Sequence, residues 1–158
     1  MTGNWIHLFT DGAVKLDACF AASGVMACKQ EEEWIVGFNC YLGLCTVFNV
    51  ELWGVLDGIT LIHERGYQKV VIHTKNLKVV KVIQDAYLTD SFSVLLRRIH
   101  ISLQAIQHWK IKHVQRESNQ VAGCLAKLAT IRSTNIKIIP EELVPVFEID
   151  RIENSRLC

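Results

Sequence analysis

Phe9-Thr10-Asp11-Gly12-Ala13 decides how this chain is read, because the apolar run Trp5 to Thr10 leads directly into an isolated acid and then a glycine. A short run of aromatic and β-branched residues punctuated by Asp-Gly predicts a strand with a carboxylate at its end. Two more apolar stretches follow, Cys19 to Cys28 and Trp34 to Tyr41, bounded by the charged run Lys29 to Glu33 and by Gly43. Together the three predict an antiparallel meander.

From Val47 onward the spacing changes. Leu52, Val55, Leu56, Ile59, Ile62 and His63 trace one stripe near a period of 3.6, with Asp57, Thr60 and Glu64 opposite, so a helix is expected, stopped at Gly66. In this reading Glu51 is an acid in the helix's first turn, where the macrodipole favours it. Lys69 to Thr74 is a short β-branched run suited to a buried strand. Leu77 to Ala86 and Phe92 to Ile106 read as helices, the second capped by Asp90 or Ser91. Trp109 to Val114 reads as a last strand. Val121 to Ala129 reads as a last helix, capped by Ser118 or Asn119, with Val121, Leu125 and Leu128 on one side. After Thr130 the pattern fades, and Pro140 and Pro145 mark an irregular tail. A strand, helix, strand unit requires parallel pairing, so the order predicts an α/β fold with a mixed five-stranded sheet and helices on both faces. The expected division is one domain over 1–146 and an irregular tail over 147–158.

Composition narrows the function. A chain of 158 residues at 50% hydrophobic has the size of one domain with a sizeable core. Lys plus Arg total 17 against 16 for Asp plus Glu, a net charge of +1, so phosphate binding requires a local basic patch rather than a global field. The first ten residues lack a basic flank followed by a long apolar run, and no stretch is long enough to span a bilayer. A soluble, intracellular monomer without membrane partners is expected. The six cysteines lack paired spacing and read as buried thiols, and the six histidines lack zinc-ligand spacing. Trp5, Trp34, Trp53 and Trp109 lie in apolar runs and read as core.

Four blocks stand in order along the chain: Phe9-Thr10-Asp11-Gly12-Ala13; Val50-Glu51-Leu52-Trp53-Gly54; Glu64-Arg65-Gly66-Tyr67 with Val70-Val71-Ile72-His73-Thr74-Lys75-Asn76; and His113-Val114-Gln115-Arg116-Glu117-Ser118-Asn119 with Ala122-Gly123-Cys124-Leu125-Ala126. The set resembles the ribonuclease H-like domain (type 1), in the version found in plant retrotransposon-derived proteins. There the blocks read Asp-Gly-Ala, Ala-Glu-x-x-Ala, a strand ending Glu-Thr-Asp-Ser, and His-Val-x-Arg-Glu-x-Asn followed by Ala-Asp-x-Leu-Ala. In that family four carboxylates hold two magnesium ions that cut the RNA strand of an RNA:DNA hybrid. Paired metals activate water and neutralise the leaving oxygen, and magnesium requires hard oxygen ligands. The resemblance therefore implies Asp11 and Glu51 as catalytic, metal-holding acids. It also implies His113 as the histidine that assists water activation or product release, a task suited to imidazole near neutral pH.

The third acid of the pattern falls on Lys75 and the fourth on Gly123. Neither ligates a cation, and an ammonium about 4 Å from a carboxylate would repel magnesium while supplying a counter-ion. The expectation is a hybrid-nuclease descendant, impaired or inactive as a hydrolase, that retains nucleic-acid binding. Lys78, Lys81, Arg97 and Arg98, with Lys75, are the expected backbone-reading residues. Two other readings stand beside it: an active RNA:DNA hybrid endoribonuclease working through Asp11 and Glu51, and a protein-interaction module that never touches nucleic acid, as the near-zero net charge allows. A doubly wound receiver-like domain is disfavoured by three strands before the first helix.

Overall fold

Strand β1, Ile6–Lys15, is the spine of the sheet because both its edges are paired. The computed structural model describes residues 5–15, 20–29, 33–85, 94–132 and 137–139. β1 runs antiparallel to β2, Phe20–Lys29, which runs antiparallel to β3, Trp34–Leu44. On its other edge β1 pairs in parallel with β4, Lys69–Thr74, which pairs in parallel with β5, His108–His113. The five expected strands are thus present in a mixed sheet. A sixth, β6 at Lys137–Ile139, joins the free edge of β3, giving the order β5-β4-β1-β2-β3-β6.

Helices cover both faces, and the alternation along β1 shows which covers which. Ile6, Leu8 and Thr10 point one way and are at most 1% exposed. Helix α1, Val47–Glu64, lies over them: a Cβ added at its Gly58 would meet Leu8 Cδ2 at 2.7 Å, and one at Gly54 would lie 3.7 Å from Thr10 Cβ. Helix α3, Val94–Ala105, packs on α1, and Leu8, Ile59, Ile72, Ile99 and Leu103 share the main core with Val79 and Ile83 of α2, Leu77–Gln84. Each such side chain contributes about 1.5–3 kcal/mol by leaving water. The opposite face carries Asp11 and its register partner Gly24, and there α4, Gln120–Arg132, crosses β1, β2 and β3. Gly24 permits this crossing, since a Cβ there would stand 2.1 Å from the Ala122 carbonyl oxygen.

Several expectations need correction. Asp11 does not end its strand: β1 continues to Lys15 because β2 pairs with it throughout, so Asp-Gly is extended backbone rather than a turn. Glu51 is the fifth residue of α1, beyond the first turn, and is buried against the sheet. His63 is exposed, off the buried stripe. A 3₁₀ turn over Arg116–Asn119 precedes α4, and Asn119, rather than capping the helix, donates Nδ2 to the Thr10 carbonyl at 2.8 Å. Cys28 and Cys124 are buried thiols, whereas Cys40 and Cys45 are half-buried. The expected Asp90 or Ser91 cap, Cys19, Cys158, both prolines and the tail lie outside the described residues. Gly66, at φ +85°, follows α1 as expected. Among the described residues no helix is long and apolar enough to cross a membrane.

Candidate functional site

The parallel pairing of β1 with β4 ends at Thr10↔Thr74, one residue short of Asp11 on one strand and of Lys75 on the other. The chain leaving β4 therefore passes beside Asp11, and Lys75 Nζ stands 3.3 Å from Asp11 Oδ2. The other carboxylate oxygen, Oδ1, accepts the Gly12 N–H at 2.8 Å. Asp11 is 6% exposed, so both of its oxygens have partners in a largely dry setting.

Glu51 enters from α1, whose start is set by Thr46: its Oγ1 accepts the Asn49 N–H at 3.2 Å. The Glu51 side chain, 2% exposed, accepts a hydrogen bond at Oε2 from Thr74 Oγ1 at 3.4 Å. Burial, reinforced by the nearby Asp11 charge, pushes its carboxyl up to about 7. Burial also raises Asp11, with Lys75 pulling in the opposite direction.

The loop carrying Lys75 is fixed at both ends. Thr74 Oγ1 accepts the Asn76 N–H at 3.2 Å, and Asn76 caps α2 by accepting the Lys78 and Val79 N–H groups at 3.0 and 3.2 Å. From β5, the His113 ring donates from Nε2 to the Lys75 carbonyl at 3.0 Å, and the Val114 N–H reaches the Thr74 carbonyl at 2.9 Å. His113 is exposed and holds the backbone of Lys75.

Gly123 faces the same carboxylate from α4. A Cβ there would stand 2.9 Å from Asp11 Oδ2, the oxygen that Lys75 contacts. Lys127, one turn later on the same face, acts electrostatically on Asp11. The structure thus brings Asp11, Glu51, Lys75 and Gly123 together, with the His113 ring reaching the backbone carbonyl of Lys75.

The expected backbone-reading residues are spread over α2 and α3. Lys78 Nζ sits 4.6 Å from the Phe48 ring centre and Arg98 Cζ 5.6 Å from that of Trp53, while Lys81 and Arg97 are exposed. All four tryptophans are half-buried, Trp53 and Trp109 packing on the main core, and Lys110 Nζ lies 4.8 Å from the Trp5 ring centre. Sequence reasoning missed Thr74, Asn76, Asn119 and Lys127. The i, i+4 spacing from Gly123 marks Lys127, and the polar pair flanking Lys75 marks the other two ends of its loop. Asn119 reads locally as a helix cap, and its role is hidden because its partner lies 109 residues away.

A protein of Arabidopsis thaliana provisionally named a ribonuclease H protein is 27% identical over 157 residues, 96% of this chain but 25% of that relative. The chain therefore spans a quarter of that relative's length. Among solved structures, RNase H1 from the halophilic archaeon Halobacterium salinarum superposes with a TM-score of 0.69 at 21% identity, covering 82% of this chain and 99% of that one. LC11-RNase H1, in complex with an RNA/DNA hybrid, gives 0.70 at 19% identity, covering 81% and 98%. At these identities the superpositions establish the ribonuclease H fold. A family model described as reverse transcriptase-like matches residues 9–129, a span that includes Asp11, Glu51, Lys75, His113 and Gly123, and the chain belongs to this family of ribonuclease H-like domains.

Proposed function

We propose that this chain is a nucleic-acid-binding ribonuclease H-like domain whose hydrolytic centre is disabled. One observation carries the reading: the ammonium of Lys75 stands 3.3 Å from Asp11 Oδ2, on a carboxylate that the family resemblance would give to a metal ion. Magnesium is the family's cofactor, and the residues present do not fit it. Both oxygens of Asp11 are engaged, Glu51 is buried and hydrogen-bonded, and Gly123 contributes no ligand. Among the described residues no group of three His, Cys, Asp or Glu side chains converges to hold a metal. Two dications beside a fixed ammonium would meet direct repulsion in a poorly screened site.

Support for nucleic-acid binding comes from the fold shared with a hybrid-bound RNase H1 and from the exposed bases Lys81, Arg97 and Arg98. The expected result is that an RNA:DNA hybrid is bound in a salt-dependent way but not cut in magnesium or manganese. Cleavage that disappears in an Asp11→Asn control would overturn the disabled reading in favour of an active endoribonuclease. The net charge of +1 favours the protein-interaction module instead, and absence of hybrid binding even at low salt would overturn the nucleic-acid reading and support that alternative.

A further inference from the structure

We propose that Lys75 makes this a divalent-independent site for a backbone phosphodiester, with the lysine donating where metal ions otherwise bridge protein and phosphate. The inference rests on the nucleic-acid reading above and names the chemistry of the same site. An ammonium has three N–H donors. One direction is taken by Asp11 Oδ2, and the Lys75 side chain is still 36% exposed while Asp11 beneath it is almost closed to solvent. The lysine is thus held from below and open above.

Its backbone is pinned by His113 Nε2 at 3.0 Å on the carbonyl, and its loop by the Asn76 cap on α2. This limits the freedom that binding must freeze. Lys127 acts electrostatically on Asp11 from α4, so a second ammonium bears on the same spot. Asp11 serves as the fixed counter-charge that orients Lys75, while an incoming phosphate meets lysine rather than carboxylate. Four clustered carboxylates repel a phosphate unless cations screen them; with Lys75 and Gly123 in place of two acids, that repulsion is reduced.

The test is fluorescence anisotropy of a labelled RNA:DNA hybrid with the full chain, in EDTA and in magnesium at matched ionic strength. Affinity is expected to agree within about twofold between the two. Lys75→Arg should retain binding. Lys75→Met should weaken it and reduce the slope of log affinity against log salt by about one phosphate contact. Because Lys75→Met leaves Asp11 unpaired, Asp11→Asn/Lys75→Met is measured beside it as a variant free of that charge, with the same loss expected. Binding about tenfold tighter in magnesium would overturn the inference and leave the nucleic-acid reading standing. So would a folded double variant with wild-type affinity and salt slope. Absence of binding at low salt in both buffers would overturn the nucleic-acid reading and this inference together.

Discussion

Lys75 Nζ and Asp11 Oδ2 stand 3.3 Å apart, at the point where β4 stops pairing with β1 and releases its chain over the face that α4 covers. The pair joins an almost fully buried carboxylate to a lysine that solvent still reaches, at 7% and 36% side-chain exposure. Its energetics are therefore lopsided: removing the lysine strands a buried charge, whereas removing the acid releases an ammonium to water.

Lys75→Met should destabilise the protein by about 1–2 kcal/mol near neutral pH, below the usual cost of breaking a fully buried pair because water reaches the lysine. Asp11→Asn should cost less, and in its background Lys75→Met should cost almost nothing. Urea unfolding of the four proteins closes the cycle. Additive losses would mean that the two groups are not coupled.

Gly123→Ala places two effects in opposition. Alanine favours a helix interior by about 1 kcal/mol over glycine. Yet its methyl would stand 2.9 Å from Asp11 Oδ2, a carboxylate pinned by the Gly12 N–H and by Lys75. The steric term should win, giving a net loss of about 1 kcal/mol. In an Asp11→Ala background the obstacle is gone and the same substitution should stabilise. A sign that fails to reverse between the two backgrounds would show that Gly123 is not shaped around Asp11.

Glu51 should make stability fall with rising pH. Its carboxyl lies at about 7 in the folded chain against an ordinary 4.5, so the folded state holds a proton that the unfolded state releases. The stabilising contribution is complete below about 4.5 and is lost as pH climbs to about 7. Glu51→Gln keeps an acceptor for Thr74 Oγ1 without the charge. It should match the wild type near pH 5 and exceed it above pH 8 by on the order of 2 kcal/mol. Denaturation midpoints across that range decide the matter, and parallel profiles would show that Glu51 titrates normally.

Much of this site was legible because its signals are local. Asp-Gly after an apolar run, Glu51 directly ahead of a 3.6-period stripe, and Lys75 after a β-branched strand each stand out in a few residues. What stayed hidden depends on pairing across long separations. Asn119 reads as a cap until β1 is beside it, and Asp11-Gly12 reads as a turn until β2 is seen to pair through Lys15. β6 is three residues long, too short for any period to register, and exists because the edge of β3 accepts it.

The pairing of β1 with β4 also creates a contact between residues 66 apart that no motif announces: His7 Nδ1 and His73 Nε2 lie 2.9 Å from one another. His73 stacks on two side chains of the adjacent β1, with ring centres 5.2 Å from His7 and 4.4 Å from Phe9. One hydrogen bond between two imidazoles requires one donor and one acceptor, so protonating both rings breaks it. Burial brings His73 down to about 4, with His7 and Lys112 adding repulsion, and burial followed by Lys112 lowers His7. A depressed histidine contributes stability that is complete above its ordinary 6.5 and is lost as pH falls toward about 4. Stability should therefore decline on the acid side, opposite in direction to the Glu51 effect. His73→Phe keeps an aromatic ring against Phe9 and removes the titration. It should lose stability at neutral pH through the missing hydrogen bond, yet show a shallower decline between pH 6.5 and 4. An acid limb as steep as the wild type's would place the proton uptake elsewhere in the molecule.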